Sequence, residues 1–527
     1  PELTAYVSFV KQFCVRMEAA ELPPLSGRIL ERIFAHLSAF QLARARLTCR
    51  RWNEVISGSP QLVAKFRLSL ERFFRGGETE RDFMLENVKT CYSTVDYGAS
   101  HLIQVEQVWL TIGPNIRHLI IHDCWLDLSK VGYMLRYLPN LEELTFTPYY
   151  LESDMIKDVK IDYRMDKLAT LTVGSTDRID EVLDLFKQIC SNLVVLRVSC
   201  ERHYCNEENL LNLIFASRDT LQEISMKKYN FEDDFLPKIS SMDRLELKRL
   251  SLKQCYIESE EDIFNLSLAQ PLLEHLDIQS AQLRSNEVLV KIARNLPYLR
   301  SLKINLNKLK GSLMDESLNC MSELEHLKLI SEQPKRIDIS KFQNSTLAKL
   351  SLSGVTLTIN TLEGISNNLP KLKNLTLECS EHKSPIPQSV LQSLESLKLK
   401  QVTNLSTIIY PTKSTWDLKQ LQVISCDLSG KSLQTICQQC PLLETVHLES
   451  TYYVCDRDVQ LLCRTLKRLR SLSFVDCRLV SDVTVENAIV HCRKLEYLRI
   501  EYCRKVKKNR RWYKAEMKPR FKISIGP

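Results

Sequence analysis

One pattern, apolar-x-x-apolar-x-apolar, recurs along most of the chain and limits its fold more than any other feature of the sequence. Sixteen copies follow one another, with starts 22 to 28 residues apart. The copies start at Ile116, Leu141, Leu168, Leu193, Leu221, Leu247, Leu273, Leu299, Leu324, Leu347, Leu372, Leu394, Leu418, Leu443, Leu469 and Leu495. One copy has too few apolar residues to bury them alone, so the copies must stack and share one core.

The alternation within each copy predicts a short strand, because successive side chains of a strand point to opposite faces. A spacing of roughly 20–29 residues with this alternation is typical of leucine-rich repeats. In such repeats a turn and usually a helix return the chain to the next strand. We therefore predict an α/β fold, a leucine-rich-repeat solenoid that forms a horseshoe of about 16–17 repeats over residues 114–505.

The return segments between the predicted strands fall into two groups. Helical periodicity is present in residues 126–138, 182–189, 288–296, 433–437 and 459–466. Proline and weak periodicity predict irregular or short helical turns in residues 147–166, 331–346, 379–393 and 400–417.

Residues 66–113 link the repeats to the preceding segment and are predicted to form the N-terminal cap of the solenoid. We expect an apolar helix over residues 66–74 that ends at Gly76 and Gly77. Residues 91–97 have the pattern of a degenerate first strand, and residues 101–112 that of its helix.

Ahead of this link, apolar residues at helical spacing fill residues 22–56. One face of a first predicted helix contains Ile29, Ile33, Phe34 and Leu37. After a break at residues 38–41, apolar residues recur at alternating intervals of three and four residues. They are Leu42, Ala45, Cys49, Trp52 and Ile56. Arginines lie between these positions, and a unit this short cannot bury a self-sufficient core. It must pack on its neighbour or present apolar residues to a partner.

This segment resembles an F-box. The resemblance rests on Leu22-Pro23, Ile29-Leu30, Ile33-Phe34, Leu37-Ser38, Leu42 and Ala45, and above all on residues 47–52, Leu-Thr-Cys-Arg-Arg-Trp. F-box proteins dock on the Skp adaptor of a cullin–RING ubiquitin ligase. The resemblance therefore implies a substrate receptor of an SCF-type (Skp–cullin–F-box) ligase, whose repeats bind the protein to be ubiquitinated, and not a catalyst.

For individual residues, the resemblance implies an adaptor interface or its immediate support. The candidates are Leu22, Pro23, Ile29, Leu30, Ile33, Phe34, Leu37, Leu42 and Trp52. The sequence does not separate residues that contact the adaptor from those that hold the helices together. The alternative is a non-ligase scaffold with a degenerate F-box. It is favoured because Leu22-Pro23 stands three residues farther from Ile29 than in the family pattern.

Cysteines recur at one position of the repeat, eight residues after its start, where the turn leaves the strand. They are Cys124, Cys255, Cys426, Cys477 and Cys503. A small side chain there can meet backbone groups of the neighbouring turn, and the pattern resembles the cysteine-containing subclass of leucine-rich repeats. The eighteen cysteines form no disulfide framework, which favours a reducing compartment, the cytoplasm and/or the nucleus.

The residue between the second and third apolar positions of each copy faces the open side of the predicted sheet. Because neighbouring strands lie about 4.8 Å apart, Lys303 and Lys328 should be adjacent, with Lys349 and Lys398 close by and Lys253 on the same face. This face is either a solvated surface of mixed charge or a site for an acidic or phosphorylated substrate segment. Aromatic residues that stack bases are absent from the column, which disfavours a nucleic acid.

The predicted order is an extension at 1–21, the F-box at 22–65, the link and cap at 66–113, repeats at 114–505, and a basic tail or cap at 506–527. The basic run 504–511 is interpreted as a solvated tail. Nuclear import and contact with an anionic polymer are the other interpretations. The net charge of +8 permits an acidic partner and does not require one.

Motifs for catalysis, cofactors and metals give no support to an enzyme. Cys437 and Cys440 are spaced like half a metal site with no second pair, and Cys200, His203 and Cys205 lack a fourth ligand. The sequence contains no phosphate-binding glycine-rich loop, HExxH or GxSxG. We therefore predict no cofactor and no metal. No apolar run approaches the roughly 18 residues of a membrane span, so no membrane contact is predicted.

Overall fold

The computed structural model describes residues 25–69, 92–98, 106–152, 161–174, 178–200, 207–229, 234–257, 259–281, 283–309, 314–379, 386–412, 414–507 and 522–525. These residues divide into two compact units. Residues up to 238 and residues 242–247 belong to the first, and residues 239–241 and those from 248 onward to the second. Leu22, Pro23, the extension 1–21, Gly76, Gly77 and the part of the basic run after residue 507 lie outside the described residues.

The first unit begins with a helical module, defined here as residues 25–69. Its helices are α1 (Gly27–Ala35), α2 (Ala39–Arg46), α3 (Arg50–Gly58) and α4 (Pro60–Val63), followed by the short strand β1 (Arg67–Ser69). Pro60 stands at the start of α4, where a missing N–H costs nothing. The expectation of a helix over residues 66–74 is wrong where it can be compared, because Arg67–Ser69 is a strand paired in parallel with the next one.

The strands of the first unit that follow β1 are all parallel. They are β2 (Thr94–Gly98), β3 (His118–His122), β5 (Glu143–Thr147), β7 (Thr170–Val173), β8 (Val195–Ser199) and β9 (Glu223–Lys227), each paired with the next. A separate pair consists of β4 (Trp125–Asp127) and β6 (Tyr150–Glu152). The first strand of the predicted cap is therefore present as β2.

The second unit is a run of parallel strands that pair in chain order. They are β10 (Arg249–Lys253), β11 (His275–Ile278), β12 (Ser301–Asn305), β13 (His326–Ile337), β14 (Lys349–Leu357), β15 (Asn374–Glu378), β16 (Ser396–Lys400), β17 (Gln420–Ile424), β18 (Thr445–Glu449), β19 (Ser471–Val475), β20 (Tyr497–Glu501) and β21 (Lys522–Ile525).

Helices return the chain between most of these strands. In chain order they are α5 (Glu106–Ile112), α6 (Leu128–Leu135), α7 (Ile179–Ile189), α8 (Glu207–Ala216), α9 (Phe235–Ser240), α10 (Glu260–Ala269), α11 (Asn286–Asn295), α12 (Met314–Asn319), α13 (Ile359–Asn368), α14 (Gln388–Ser393), α15 (Leu405–Ile408), α16 (Gly430–Gln439), α17 (Asp456–Thr465) and α18 (Asp482–His491). None of the helices in the described part of the chain is long and apolar enough to cross a bilayer.

In each of the sixteen sequence repeats the apolar-x-x-apolar-x-apolar pattern coincides with one strand, which confirms the predicted α/β leucine-rich-repeat fold. The strands stack in register, so that Leu302 lies beside Leu327 and Ile304 beside Leu329. These leucine-type positions are buried, whereas the residues between them in β15 and β16 are half-buried. Burying two or three large aliphatic side chains per strand at about 1.5–3 kcal/mol each provides the driving force for stacking.

The turn after many strands depends on one residue in the left-handed region. Positive φ angles occur immediately after the strand at Asp123, Lys228, Gln254, Cys379, Gln401, Ser425, Ser450, Asp476 and Tyr502. None of these residues is a glycine, although side chains disfavour this region by about 1–2 kcal/mol. The stacked turns thus hold these residues in the left-handed conformation, which the sequence does not indicate because no glycine stands at these positions.

The five helical returns are confirmed by α6, α7, α11, α16 and α17. Short helices α14 and α15 occupy two of the four proline-containing returns. The expectation for residues 331–346 is wrong in its first half, because β13 continues as an extended strand to Ile337 and pairs with β14. Pro334 lies where the register shifts between Ile330 and Lys335, and a bulge tolerates its missing N–H.

Candidate functional site

The helical module has a small core of its own. Leu30, Phe34, Leu42, Ala45, Ile56 and Leu62 are buried together, and Leu37, Trp52, Val55 and Phe66 pack against them. The rings of Phe34 and Trp52 meet edge-on, with centroids 5.2 Å apart, a geometry that aromatic pairs favour. Five of the nine predicted adaptor-interface residues therefore support the module from inside or from its edge: Leu30, Phe34, Leu37, Leu42 and Trp52.

Side-chain caps fix where the first two helices begin. The Ser26 hydroxyl accepts a hydrogen bond from the Ile29 N–H, at 3.4 Å. Ser38 and Gln41 form a reciprocal capping box, in which Ser38 N donates to Gln41 Oε1 at 2.9 Å and Gln41 N donates to Ser38 Oγ at 3.3 Å. Gln41, the residue before Leu42, thus accepts a hydrogen bond from the backbone N–H of Ser38.

The predicted run of residues from Leu42 to Ile56 is two helices and not one. α2 ends at Arg46 and α3 begins at Arg50, with Cys49 exposed as its N-cap residue and without a side-chain cap. Arg46 connects the two helices, because its Nε donates to Asn53 Oδ1 at 2.9 Å and its guanidinium lies 5.5 Å from the centroid of the Phe66 ring. Cys49 does not belong to the buried face on which the periodicity placed it.

An apolar ridge, defined here as Leu25, Ile29 and Ile33, remains on the surface of the module. Ile29 and Ile33 lie one turn apart on α1 and are 47% and 46% exposed, while Leu30 and Phe34 on the same helix are almost completely buried. Leu25 precedes the helix and is 49% exposed. Exposed aliphatic side chains at successive helical turns are typical of a surface that binds a partner.

The module is joined to the first strands of its unit by backbone pairing and by charge. β1 pairs with β2, and the Ser93 hydroxyl donates to the Ala64 carbonyl at 3.1 Å. The Asp96 carboxylate on β2 has two partners. Its Oδ2 lies 3.2 Å from Arg67 Nη1, and its Oδ1 lies 2.8 Å from His122 Nε2. The hydrogen bond that His122 Nδ1 donates to Asp123 raises the pKa of His122, and the charge of Asp96 adds to the shift while burial opposes it.

In the second unit, the register brings the predicted lysine column together. Lys303 lies directly beside Lys328, and Lys328 lies beside Ser351. Thr376 follows Ser351 in the same row, and Lys398 follows Thr376. Lys349 precedes Ser351 by two residues on the same face, whereas Lys253 lies on β10 at the other end of this row of strands.

The lysines of this face differ in whether they have an acidic partner. Lys303 Nζ lies 2.7 Å from Asp277 Oδ2, and Lys400 forms an ion pair with Glu378. Within the described residues no ion pair or side-chain hydrogen bond is found for Lys253, Lys328, Lys349 or Lys398. Asp277 is almost fully buried, so its pairing with Lys303 serves the fold. Of the five predicted lysines, Lys303 is therefore engaged in an ion pair. The other four have none within the described residues and are available to bind a ligand.

The electrostatics single out Lys328 among the four. Burial lowers the pKa of Lys328, and the charges of Lys303 and Lys253 lower it further, while Glu378 and Asp277 oppose the shift. Burial also acts to raise the pKa of Glu378, but the hydrogen bond and charge of Lys400, with Lys328 and Lys398 nearby, bring it below its ordinary value. An anion near Lys328 would relieve the repulsion among these ammonium groups.

The cysteines eight residues after a repeat start, Cys124, Cys255, Cys426, Cys477 and Cys503, are buried, and several contact the preceding turn. Cys426 Sγ accepts from Val402 N at 3.4 Å, and Cys503 Sγ accepts from Cys477 N at the same distance. Burial raises the pKa of Cys437 to about 11 and raises that of Cys440 as well, so these thiols are poor metal ligands or nucleophiles. In the described residues no group of three His, Cys, Asp or Glu side chains could hold a metal; His203 and Cys205 lie outside them.

Comparison with known proteins gives a match for the module. Residues 27–69 match the family model described as F-box-like. Two similar solved structures are a leucine-rich-repeat protein of Leptospira interrogans and an internalin of Listeria monocytogenes. The first is 17% identical, with 89% of this chain and 97% of that chain covered and a TM-score of 0.29. The second is 15% identical, with 71% and 84% covered and a TM-score of 0.33. At these scores the two likenesses say nothing about function.

Proposed function

We propose that this chain is the substrate-recognition subunit of an SCF-type ubiquitin ligase. The helical module docks on the Skp adaptor, and through it on a cullin–RING ligase, while the repeats bind the protein to be ubiquitinated. An F-box-like module followed by leucine-rich repeats is typical of non-catalytic adaptors. The proposal includes a location in the cytoplasm and/or the nucleus, where such ligases act.

One observation carries the proposal: Leu25, Ile29 and Ile33 form an exposed apolar ridge on a module whose core already buries Leu30, Phe34, Leu42, Ile56 and Leu62. Leu47, beyond the end of α2, is exposed as well. Burying the three ridge side chains against a partner would contribute several kcal/mol, at about 1.5–3 kcal/mol for each side chain fully removed from water. The match to the F-box-like family over residues 27–69 supports an adaptor of the Skp type as that partner.

The solenoid part of the proposal is that its repeats belong to the cysteine-containing subclass. The buried cysteines after β10, β17, β19 and β20, together with the contacts of Cys426 and Cys503 to neighbouring turns, support this assignment. The predicted adaptor residues Leu22 and Pro23 precede both the described residues and the family match. Their altered spacing favours the second candidate function, a leucine-rich-repeat scaffold whose degenerate F-box binds no adaptor.

Gel filtration of the full chain with the Skp adaptor and a cullin distinguishes the two candidates. The proposal predicts that all three elute together in equal amounts, and that the chain and the cullin elute separately when the adaptor is omitted. A chain that is folded by circular dichroism but elutes apart from the adaptor would contradict the ligase function and favour the scaffold.

A further inference from the structure

Four neighbouring strands of the second unit, β13 to β16, form a small polar surface that the fold does not use. Its members are the open-face residues of each strand, and we call this surface the lysine patch. In rows across the strands they are His326, Lys349, Asn374 and Ser396; Lys328, Ser351, Thr376 and Lys398; and Ile330, Ser353, Glu378 and Lys400. Four lysines against one carboxylate leave a strong positive excess.

The single carboxylate of the patch is already neutralised. Glu378 forms an ion pair with Lys400, which leaves Lys328, Lys349 and Lys398 without an anionic partner in the part of the chain that the structure describes. Lys328 is half-buried, so its ammonium group has lost part of its water without gaining a counter-ion. The lowered pKa of Lys328 reflects this burial and the nearby lysines. The patch is therefore electrostatically incomplete by itself.

Hydroxyl groups occupy the space between the free lysines. Ser351 and Thr376 lie between Lys328 and Lys398 in the middle row, and three strand spacings of about 4.8 Å separate the two lysines. Among the described residues no hydrogen bond is found for either hydroxyl. The charges of both lysines help to lower the pKa of the Glu378 carboxyl, so both lie within electrostatic reach of it. Ammonium and hydroxyl groups from four neighbouring strands thus share one face.

This donor set matches a phosphate monoester better than a carboxylate. A phosphorylated side chain has a charge of about −1.5 to −2 and three strong acceptor oxygens, whereas a carboxylate offers one charge and two oxygens. No phenylalanine, tyrosine or tryptophan lies in the patch to stack a base, so a nucleic acid has mainly charge to hold it. Ile330 at the edge of the patch provides an apolar contact for a neighbouring side chain of a peptide.

From these observations we infer that the lysine patch binds a phosphoserine or phosphothreonine in an extended segment of a partner protein. Lys328, Lys349 and Lys398 provide the charge, and the half-buried Thr376 donates a hydrogen bond to a phosphate oxygen, while Ser351, only 8% exposed, lies beneath them. The site does not depend on adaptor docking by the module, so it stands or falls separately from the ligase function.

The test is affinity capture of degenerate peptide pools by the full chain without any adaptor. Three pools differ only at a central phosphothreonine, threonine or glutamate, and mass spectrometry quantifies what is retained. We expect the phosphothreonine pool to be enriched about tenfold or more over the threonine pool. The double variant Lys328→Ala/Lys398→Ala should abolish this enrichment.

A matched control removes the same charge elsewhere. Lys431 and Lys494 are exposed and lie on α16 and in the turn before β20, away from the open strand face; Lys431→Ala/Lys494→Ala should retain the enrichment. Circular dichroism melting shows whether each variant is folded, and Lys349→Ala/Lys398→Ala replaces the first pair if it is not.

Three results would overturn the inference. Equal retention of the glutamate and phosphothreonine pools would show a general acidic site. Tighter binding of a single-stranded oligonucleotide than of the phosphothreonine pool, lost in the same variant, would show a nucleic-acid surface. Equal retention of the threonine and phosphothreonine pools by the folded wild-type chain would show a solvated face.

Discussion

The helical module and the lysine patch both expose side chains that their own unit does not need, but the two surfaces are opposite in chemistry. The ridge of the module is aliphatic. Ile29 and Ile33 are as apolar as Leu30 and Phe34 on the same helix, but their side chains are exposed whereas those of Leu30 and Phe34 are buried. The patch is cationic, and its lysines differ in pairing: Lys400 forms an ion pair with Glu378, whereas none is found for Lys328 or Lys398 within the described residues. A residue type therefore indicates a candidate surface, while its neighbours decide whether it supports the fold or is free to bind.

The largest effect expected from this comparison is in the module core. Phe34→Ala removes a ring that is 2% exposed and packs edge-on against Trp52, and it should cost about 3–5 kcal/mol of local stability. Ile29→Ala, on the exposed side of the same helix, should cost less than about 0.5 kcal/mol. Hydrogen–deuterium exchange of peptides from residues 25–69 measures both. Similar costs for the two variants would refute the division between core and ridge.

A smaller difference is expected between a paired and an unpaired lysine. Lys303→Met leaves the buried Asp277 carboxylate without its partner and should cost about 1–3 kcal/mol. Lys328→Met removes a half-buried ammonium group that has no ion pair within the described residues, so it should be neutral or stabilising. Urea unfolding of the two variants beside the wild type makes the comparison. A loss in Lys328→Met as large as in Lys303→Met would show that Lys328 has a structural role.

The smallest effect is a pH dependence at the junction between the module and the strands. Because the pKa of His122 is raised in the folded chain, its ion pairs with Asp96 and Asp123 stabilise fully below the ordinary histidine pKa of about 6.5. That stability is lost as the pH rises through the raised value. The exposed ring limits the effect to less than about 1 kcal/mol. The stability difference between wild type and His122→Gln in urea should shrink from pH 6 to pH 9, and a difference that grows instead would contradict the assignment.

Sequence reasoning predicts the stacked part of the fold well because register follows from apolar spacing. The spacing of the repeat starts alone predicts that Lys303 lies beside Lys328, and the structure confirms it. Three features escape the pattern for physical reasons. Arg67–Ser69 is too short to show a strand period, Pro334 marks a bulge within a strand and not its end, and the left-handed residues after the strands are not glycines.

The candidate sites show the same limit. Ile29, Leu30, Ile33 and Phe34 are all apolar at helical spacing, and only packing against Leu42 and Trp52 determines which pair is buried. The pairing of Lys400 with Glu378 likewise depends on side-chain placement across two strands. Residues 47–52 led to the F-box-like assignment from sequence, and the family match over residues 27–69 agrees with it.

A calorimetric titration of the Skp adaptor into the full chain tests the central claim most directly, with Ile29→Asp/Ile33→Asp as the ridge variant. Its matched control is Leu268→Asp/Val490→Asp, which places the same two charges on exposed aliphatic positions of α10 and α18. The account predicts that the wild type and the control bind alike, while the ridge variant, folded by circular dichroism, loses about 100-fold or more in affinity. Equal binding by all three would contradict the claim that the exposed ridge is the docking surface.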